Sequence, residues 1–219
     1  MLDFLSTGSA GLQKIRTEFG EMLDAGRQTF DAAADALLGG TEVGAIRGDL
    51  FNTERRIDEA ERKIRRDLVV HASVHGTASF PTCLVLMSVA KDAERLGDYA
   101  SNIFDLAVDA GPLLDCDLRD QLMALKKRIS SLIAECRKAF DRQDRDTAIS
   151  LIASAEALED DCDAKIAAIV DRTSEGSKCA ACALAFRYFK RTASHVLNIL
   201  TSIVQPVDML DFTGAVQRE

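Results

Sequence analysis

The sequence predicts an all-α protein of six long antiparallel helices, arranged as two tandem three-helix bundles. Hydrophobic residues make up 47% of the 219 residues, whereas aromatic residues make up 5%, with no Trp and only three Pro. This composition favours long uninterrupted helices. Turn signals divide the chain into six segments, and one helical segment occurs twice at a separation of 96 residues. Segmentation and duplication together predict the two bundles.

Short turn signals separate the six predicted helices. Gly39-Gly40 ends the first helix, and Thr41 is the expected N-cap of the second. Gly76 ends the second helix, and Pro81 suits the opening turn of the third. The remaining boundaries are marked by Gly111-Pro112, Arg142-Gln143-Asp144, Gly176-Ser177 and, after the sixth helix, Pro206.

The third and sixth segments carry the same apolar seam. Apolar residues recur at alternating spacings of three and four, which is typical of a left-handed helical bundle. In the third segment the seam comprises Leu86, Val89, Ala93, Leu96, Ala100, Ile103 and Ala107. In the sixth it comprises Cys182, Ala185, Phe189, Thr192, Val196, Ile199 and Ile203. A looser version in the second segment comprises Leu50, Ile57, Ala60, Ile64 and Leu68.

The duplication accounts for the whole chain. Glu54-xxx-Asp58 in the second helix matches Glu159-xxx-Asp163 in the fifth at a separation of 105 residues. Because the separation falls from 105 to 96 residues by the third helix, the second hairpin is shorter by nine residues. We therefore predict a first bundle over residues 1–110 and a second over residues 111–219.

Charge and hydropathy argue against a nucleic-acid-binding, secreted or membrane-spanning protein. The net charge of −8 argues against nucleic-acid binding, which requires clustered Lys and Arg. The first residues show no basic region followed by an apolar stretch, so we expect no signal peptide. No apolar run approaches the roughly 20 residues of a membrane-spanning helix. We therefore expect a soluble, cytoplasmic protein.

The six cysteines are expected to be reduced thiols in helical surroundings. Cys179 and Cys182 form a CxxC pair, which invites a redox or zinc interpretation. However, no second CxxC completes a four-ligand site, and the repeat aligns the pair with Cys83 and the apolar Leu86. A structural role for both thiols is the favoured interpretation.

Two acidic ladders are the main candidates for chemistry. Glu54 and Asp58 lie four residues apart, as do Glu94 and Asp98, so each pair projects from one helix face. The second ladder points away from its helix's seam, and antiparallel neighbours would bring the ladders together. Four carboxylates are hard oxygen donors that suit Mg²⁺, Ca²⁺, Mn²⁺ or iron. In the alternative, each acid pairs with an adjacent base such as Arg55, Lys91 or Arg95.

The second half keeps only one ladder. Glu159 and Asp163 are present, but Lys190 and Ser194 replace the other acidic pair. A lysine at this position replaces the repulsion between carboxylates with a salt bridge. Its positive charge would take the place of a metal cation. We therefore expect any metal in the first half, with an incomplete ligand set in the second.

The chain shows no enzyme signature. A ferritin-like di-iron site needs Glu-x-x-His, and none of the three His fits that pattern. No Gly-rich phosphate loop or nucleophile elbow is present. His71 and His75, with Asp67, share a face that would suit Zn²⁺. Capping of the second helix just before Gly76 is the favoured interpretation of the two imidazoles.

The duplicated motif resembles the signature of the PhoU family of phosphate-uptake regulators. The first copy reads Glu94-Arg95-Leu96-Gly97-Asp98, followed by Asn102-Ile103. The second reads Arg187-Tyr188-Phe189, followed by Arg191, His195 and Asn198-Ile199. The resemblance covers the whole chain and implies two PhoU domains in tandem.

The resemblance also implies site residues, because some PhoU proteins bind metal clusters through paired acidic motifs. A divalent metal or iron cluster in the first bundle would be held by Glu54, Asp58, Glu94 and Asp98. The second bundle would retain only Glu159 and Asp163. Further motif positions are Arg95, Asn102, Arg191 and Asn198.

The implied function is regulatory and not catalytic. PhoU proteins resemble adaptors between the ATPase subunit of a phosphate ABC transporter and a sensor histidine kinase, and they help repress the phosphate-starvation response. A related branch accompanies sodium- or proton-coupled phosphate transporters, and the residues do not select the branch. A homodimer is compatible with this role, nucleic acid is not expected, and the membrane would be reached only through partners. The alternative is a metal-binding helical bundle with a storage, sensing or oxidoreductase role.

Overall fold

The structure, a computed structural model, describes residues 10–114, 116–171 and 176–213, with side chains from Cys179 onward in the last range. Six long helices account for most of it: α1 Ala10–Leu37, α2 Val43–His75, α3 Phe80–Ala110, α4 Arg119–Arg142, α5 Arg145–Val170 and α6 Gly176–Val204. Short 3₁₀ turns lie at Gly76–Ser79 and Val207–Met209. The described ranges contain no β-strand. The predicted all-α fold class is confirmed.

The helix boundaries lie where the turn residues predict them, with one correction. Gly76 and Gly111 end α2 and α3 with φ of +72° and +71°, a region that glycine enters without steric cost. At α5, the Asp144 side chain accepts a 3.0 Å hydrogen bond from the Thr147 amide. The prediction of Thr41 as the N-cap of α2 is wrong. Glu42 holds that position, with extended backbone and no side-chain capping bond.

Four helices form the centre of the molecule and two flank it. α1 packs against α2, α3 and α4, whereas α6 packs against α3, α4 and α5. Buried apolar side chains from all six helices form one contiguous cluster. Because this core crosses the middle of the chain, a division at residues 110 and 111 stays a prediction.

The predicted seams lie in this core. All seven seam residues of α3 are buried, as are six of the seven in α6, Ile203 being half-buried. In α6, the ring of Phe189 meets Phe30 of α1 edge-to-face, with centroids 5.3 Å apart. The looser seam of α2 is also buried, except for the half-buried Ala60. The seams therefore join helices both within and between the halves.

Helix α3 is enclosed on more sides than its seam predicts, since it contacts α1, α2 and α6. The Glu94 and Asp98 side chains are only 16% and 27% exposed. The expectation that they lie on an outer helix face is therefore wrong in part, because α2 covers much of that face. On another side of α3, Asp92 is buried.

One stretch of the described chain passes a test of length and hydropathy for membrane spans. Within Val43–Ala110, one 18-residue segment has a mean hydropathy of 1.2, and 28% of that segment is buried inside the structure. This stretch includes the 3₁₀ turn at Gly76–Ser79. The chain therefore reverses direction within it.

Candidate functional site

The structure brings the two acidic ladders together where α2 packs on α3. Glu54 and Asp58 project from α2, and Asp98 projects from α3. Burial raises the pKa of Glu54, and the nearby carboxylates of Asp58 and Asp98 raise it further. The helices therefore hold these acids close enough to repel one another, and we name the surface formed by Glu54, Asp58, Glu94 and Asp98 the acidic face.

A fifth carboxylate, Glu61, was missed from the sequence and borders the acidic face. Burial is the main cause of the raised pKa of Glu94; Asp98 and Glu61 add to it, whereas Arg95 acts in the opposite direction. Glu61 is only 8% exposed and lies 2.9 Å from Arg65. Its position seven residues after Glu54 places it on the same helix face, which is the signal that would have revealed it.

Arg95 already occupies part of the acidic face. Its guanidinium donates a hydrogen bond to Asp98 and lies 3.6 Å from Glu94 Oε2. The pairing of acids with adjacent bases, kept open as the alternative from the sequence, thus holds for these two residues. Among the described residues, no three acidic, His or Cys side chains converge as a metal-binding group. The donor types suit a hard cation, but their present arrangement does not form a cage.

In the second half, the two retained acids are matched by the residues that replaced their partners. Lys190 Nζ forms an ion pair with Asp163, as the sequence predicts, and Ser194 Oγ donates a hydrogen bond to Glu159. The acids of this half are therefore satisfied without a cation.

A second polar cluster lies between α3 and α6, which we name the interface network. His195 Nδ1 lies 2.8 Å from Asp92 Oδ1, and Asn198 Nδ2 donates to the same oxygen at 2.8 Å. Arg191 Nε donates to the Tyr99 hydroxyl at 3.1 Å, and its Nη2 lies 3.2 Å from His195 Nε2. The network joins the two halves through the buried Asp92 and His195 and three half-buried side chains. Hydrogen bonds are strong and missing partners costly where water is excluded.

The four further motif positions therefore lie in different parts of the structure. Arg191 and Asn198 belong to the interface network, whereas Arg95 lies on the acidic face and Asn102 is exposed. The motif analysis did not identify Asp92, although it lies seven residues before Tyr99 on the same helix face.

The repeat relates two contacts of this interface. At a separation of 96 residues, Asp92 corresponds to Tyr188 and Tyr99 corresponds to His195. The Asp92–His195 contact is thus equivalent to the Tyr188–Tyr99 contact, whose ring centroids are 6.2 Å apart. Equivalent positions of the repeat thus hold an acid–imidazole pair in one contact and an aromatic pair in the other.

The remaining candidates from the sequence, the histidine pair of α2 and the cysteines, have neighbours that favour a structural role. The rings of His71 and His75 lie 4.2 Å apart at the end of α2, but Asp67 is engaged by Lys63 at 3.0 Å. None of the six cysteines is joined in a disulfide, in keeping with the expected reduced state. Burial raises the pKa of Cys182 to about 12, and Cys116 lies beside it. A thiol with so high a pKa is a weak nucleophile and a poor metal ligand at neutral pH.

Comparison with known proteins identifies the first half. A family model for the PhoU domain matches residues 19–107, the range that carries the whole acidic face. This part of the chain is therefore similar to PhoU domains. Over 92 residues, or 42% of this chain, it is 33% identical to PhoU homolog 1 of Thermotoga maritima, a phosphate-specific transport system accessory protein. The matched segment spans 37% of that relative's length.

Solved PhoU structures show that the fold extends over nearly the whole chain. PhoU of Pseudomonas aeruginosa superimposes with a TM-score of 0.79 at 19% identity, covering 89% of this chain and 96% of that one. The regulatory protein PhoU of the phosphate transport system of Streptococcus pneumoniae gives a TM-score of 0.70 at 19% identity, covering 87% and 92%. The predicted PhoU-like architecture is therefore confirmed.

Proposed function

We propose that this protein regulates phosphate transport and phosphate-starvation signalling in the cytoplasm. It would act as an adaptor that docks on the ATPase subunit of a phosphate ABC transporter, on a sensor histidine kinase, or on both. The observation that carries this proposal is the PhoU domain over residues 19–107, supported by the relative in Thermotoga maritima that is named for the phosphate-specific transport system. The proposed role is docking and not catalysis.

The asymmetry of the two halves suits an adaptor. The first half presents an acidic face whose carboxylates repel one another, whereas Lys190 and Ser194 neutralise the equivalent face of the second half. Charge complementarity governs which surfaces associate and how fast. Two chemically different faces on one rigid core allow two different partners to be distinguished.

Deletion of the gene tests the proposal. We expect phosphate-responsive transcription and phosphate uptake to become insensitive to abundant phosphate, and the wild-type chain to restore both. A double variant, Glu94→Lys with Asp98→Ser, gives the first half the residues of the second and should fail to restore regulation. The matched control, Glu159→Gln with Asp163→Asn, changes the equivalent acids of the other half and should restore it. Unchanged uptake and transcription in the deletion strain would contradict the proposal.

We also propose that the acidic face binds a divalent cation or an iron cluster. The raised pKa values of Glu54 and Glu94 support this, because burial and the neighbouring carboxylates both disfavour their negative charge, which a cation would neutralise. Arg95 would have to leave Asp98 for the ion to enter, so arginine and cation would compete for the same oxygens.

Elemental analysis of protein purified without chelators, followed by metal titration of the stripped protein, tests this site. We expect the Glu94→Lys, Asp98→Ser variant to lose the metal and the Glu159→Gln, Asp163→Asn variant to retain it. Equal metal content in wild type and the first variant would exclude the acidic face as the site. Tight binding with redox turnover that Glu94→Ala abolishes would instead support the alternative of a storage, sensing or oxidoreductase protein.

A further inference from the structure

The turn between α2 and α3 carries a concentration of exposed apolar side chains. Among the described residues, thirteen large hydrophobic side chains are exposed, and five of them lie between residues 69 and 84. These five, which we name the hairpin tip, are Val69, Val70, Val74, Phe80 and Leu84, with exposed fractions of 58%, 61%, 72%, 45% and 55%. Val70 and Val74 lie four residues apart, as do Phe80 and Leu84, so each pair shares one helix face. Exposed apolar patches of this kind mark interaction sites.

The hairpin tip lies beyond the first described residue of α1. Lys63 forms an ion pair with Glu18 of α1, so antiparallel packing places the first described residue of α1 level with about residue 71 of α2. The end of α2, the 3₁₀ turn and the start of α3 therefore extend beyond the described part of α1. The nine residues by which this hairpin exceeds the second one lie between Asp58 and Glu94, the stretch that contains the tip.

Basic residues border the base of the hairpin tip, and we name them the basic collar. No Lys, Arg, Asp or Glu occurs between Leu68 and Ala90, and four Lys and Arg lie just before this stretch. The collar consists of Arg62, Lys63, Arg65, Arg66 and Lys91. Lys63 is paired with Glu18 and Asp67, and Arg65 is paired with Glu61. The positive charge beside the apolar surface therefore comes mainly from Arg62 and Arg66.

The apolar and basic side chains share one face of α2. Arg62, Arg66 and Val69 lie at positions i, i+4 and i+7, and all three are exposed, so they form one stripe. Arg62 and Arg66 have no ion pair within the described part of the chain. The stripe therefore changes from uncompensated positive charge to apolar surface toward the turn.

The dimensions fit a lipid interface. Arg66 lies ten residues before the 3₁₀ turn and Lys91 twelve residues after it, or about 15–18 Å at 1.5 Å per residue. The apolar side chains of α2 occupy roughly the outer 10 Å of that length. Interfacial helices bury their apolar surface about 5–10 Å deep at the boundary between headgroups and acyl chains, which would leave the collar among the headgroups.

We propose that the hairpin tip inserts into the surface of a lipid bilayer with anionic headgroups, where the basic collar contacts their phosphates. A bilayer-spanning arrangement is excluded for this hairpin because the chain reverses at Gly76–Ser79. A second copy of the chain is disfavoured because apposed tips would bring two cationic collars together. The proposal goes beyond the regulatory role, in which the membrane is reached only through partner proteins.

Co-sedimentation of the full chain with vesicles tests the proposal. We expect wild type to bind vesicles of phosphatidylcholine with phosphatidylglycerol, and to bind vesicles of phosphatidylcholine alone more weakly. The variant Val70→Asp with Val74→Asp should bind about tenfold less to both, because charge at the tip opposes insertion. The variant Arg62→Gln with Arg66→Gln should lose most of the preference for the anionic lipid.

The matched control is Val170→Asp at the end of α5, where the valine is 71% exposed, as Val74 is 72% exposed at the tip. This variant should bind vesicles as wild type does, and circular dichroism should show all variants folded. Absence of vesicle binding by wild type, or equal loss in Val170→Asp, would overturn the proposal. So would a dimer that the tip variant converts to monomer, or binding only to vesicles that contain a phosphate transporter. Each of these outcomes leaves the deletion phenotype as a separate test of the regulatory role.

Discussion

At residue 94 the first half holds a glutamate where the second half holds Lys190. Glu94 lies half-buried among carboxylates that raise its pKa, whereas Lys190 bonds directly to Asp163. This one exchange of charge therefore changes the chemistry of the helix face. In the first half the surroundings disfavour an ionised carboxylate, whereas in the second half a lysine pairs with one. The same fold supports both chemistries because these side chains lie outside the apolar seams.

Replacement of Glu94 by Gln should stabilise the protein at neutral pH. The folded pKa of Glu94 is raised, so its contribution to stability is present below about pH 4.3, the ordinary pKa of Glu, and is lost as pH rises through the folded pKa. The neutral amide avoids this loss, and relief of the repulsion with Asp98 should be worth about 0.2–0.5 kcal/mol. Urea unfolding at several pH values measures it.

The advantage of Glu94→Gln should therefore grow from acid to neutral pH. The matched variant Glu159→Gln, whose carboxylate accepts a bond from Ser194, should show no such gain. An advantage that is independent of pH would contradict the assignment of the effect to ionisation.

Asp92 is the residue on which the interface network depends, since it accepts bonds from both His195 and Asn198. Replacement of Asp92 by Ala should destabilise the protein by about 1–3 kcal/mol, because the buried His195 and the half-buried Asn198 lose their acceptor. A double-mutant cycle with His195→Ala should give a coupling energy of at least about 0.5 kcal/mol. Additive effects of the two changes would show that the contact contributes nothing to stability.

At the scale of elements, helix packing depends on close approach of α1 to α3. A Cβ added at Gly26 of α1 would lie 2.8 Å from Leu96 Cβ, in the middle of the core. Gly48 of α2 has nothing within 4 Å of the same added atom. The two helical glycines therefore offer a matched pair, one required by packing and one not.

Gly26→Ala should destabilise the protein, and Gly48→Ala should stabilise it. Overpacking costs about 1–3 kcal/mol, whereas Ala in place of Gly gains about 0.5–1 kcal/mol of helix stability. The first change should therefore lose about 1 kcal/mol or more, and the second should gain up to about 1 kcal/mol. Chemical denaturation with far-ultraviolet circular dichroism measures both. Stabilisation by Gly26→Ala would contradict the close approach of α1 and α3.

The sequence predicted the elements well because each depends on local signals. Gly76, Pro81 and Gly111 mark boundaries through backbone geometry alone, and the α3 and α6 seams follow from spacing within one helix. The burial of Asp92 was not predictable in this way. It depends on a contact with His195, 103 residues away, on a face of α3 that its own periodicity does not mark.

The candidate site was predicted in its residues but not in its arrangement. The spacing of Glu54 and Asp58 placed both on one face, and the pairing of α2 with α3 followed from the short turn. The side-chain orientation of Arg95, which bonds to Asp98, depends on local competition among several partners. Helical spacing carries no information about that competition.

For the whole molecule, the continuous core predicts that the two halves unfold together. The chain has two Tyr and no Trp, and Tyr99 and Tyr188 both lie at the contact of α3 with α6. Tyrosine fluorescence therefore reports the junction of the halves, whereas circular dichroism reports all six helices. We expect both signals to change at the same urea concentration, as in a two-state transition. A tyrosine transition that precedes the loss of helix would show that the halves separate before they unfold.

The paired contacts at this junction make the two halves unlike parts of one assembly. Two copies of the first half would set each Asp92 against a Tyr99, and two copies of the second would set each Tyr188 against a His195. Only the mixed pairing gives the acid its imidazole and the tyrosine its tyrosine. The junction is thus directional, because its two contacts are complementary only between unlike halves.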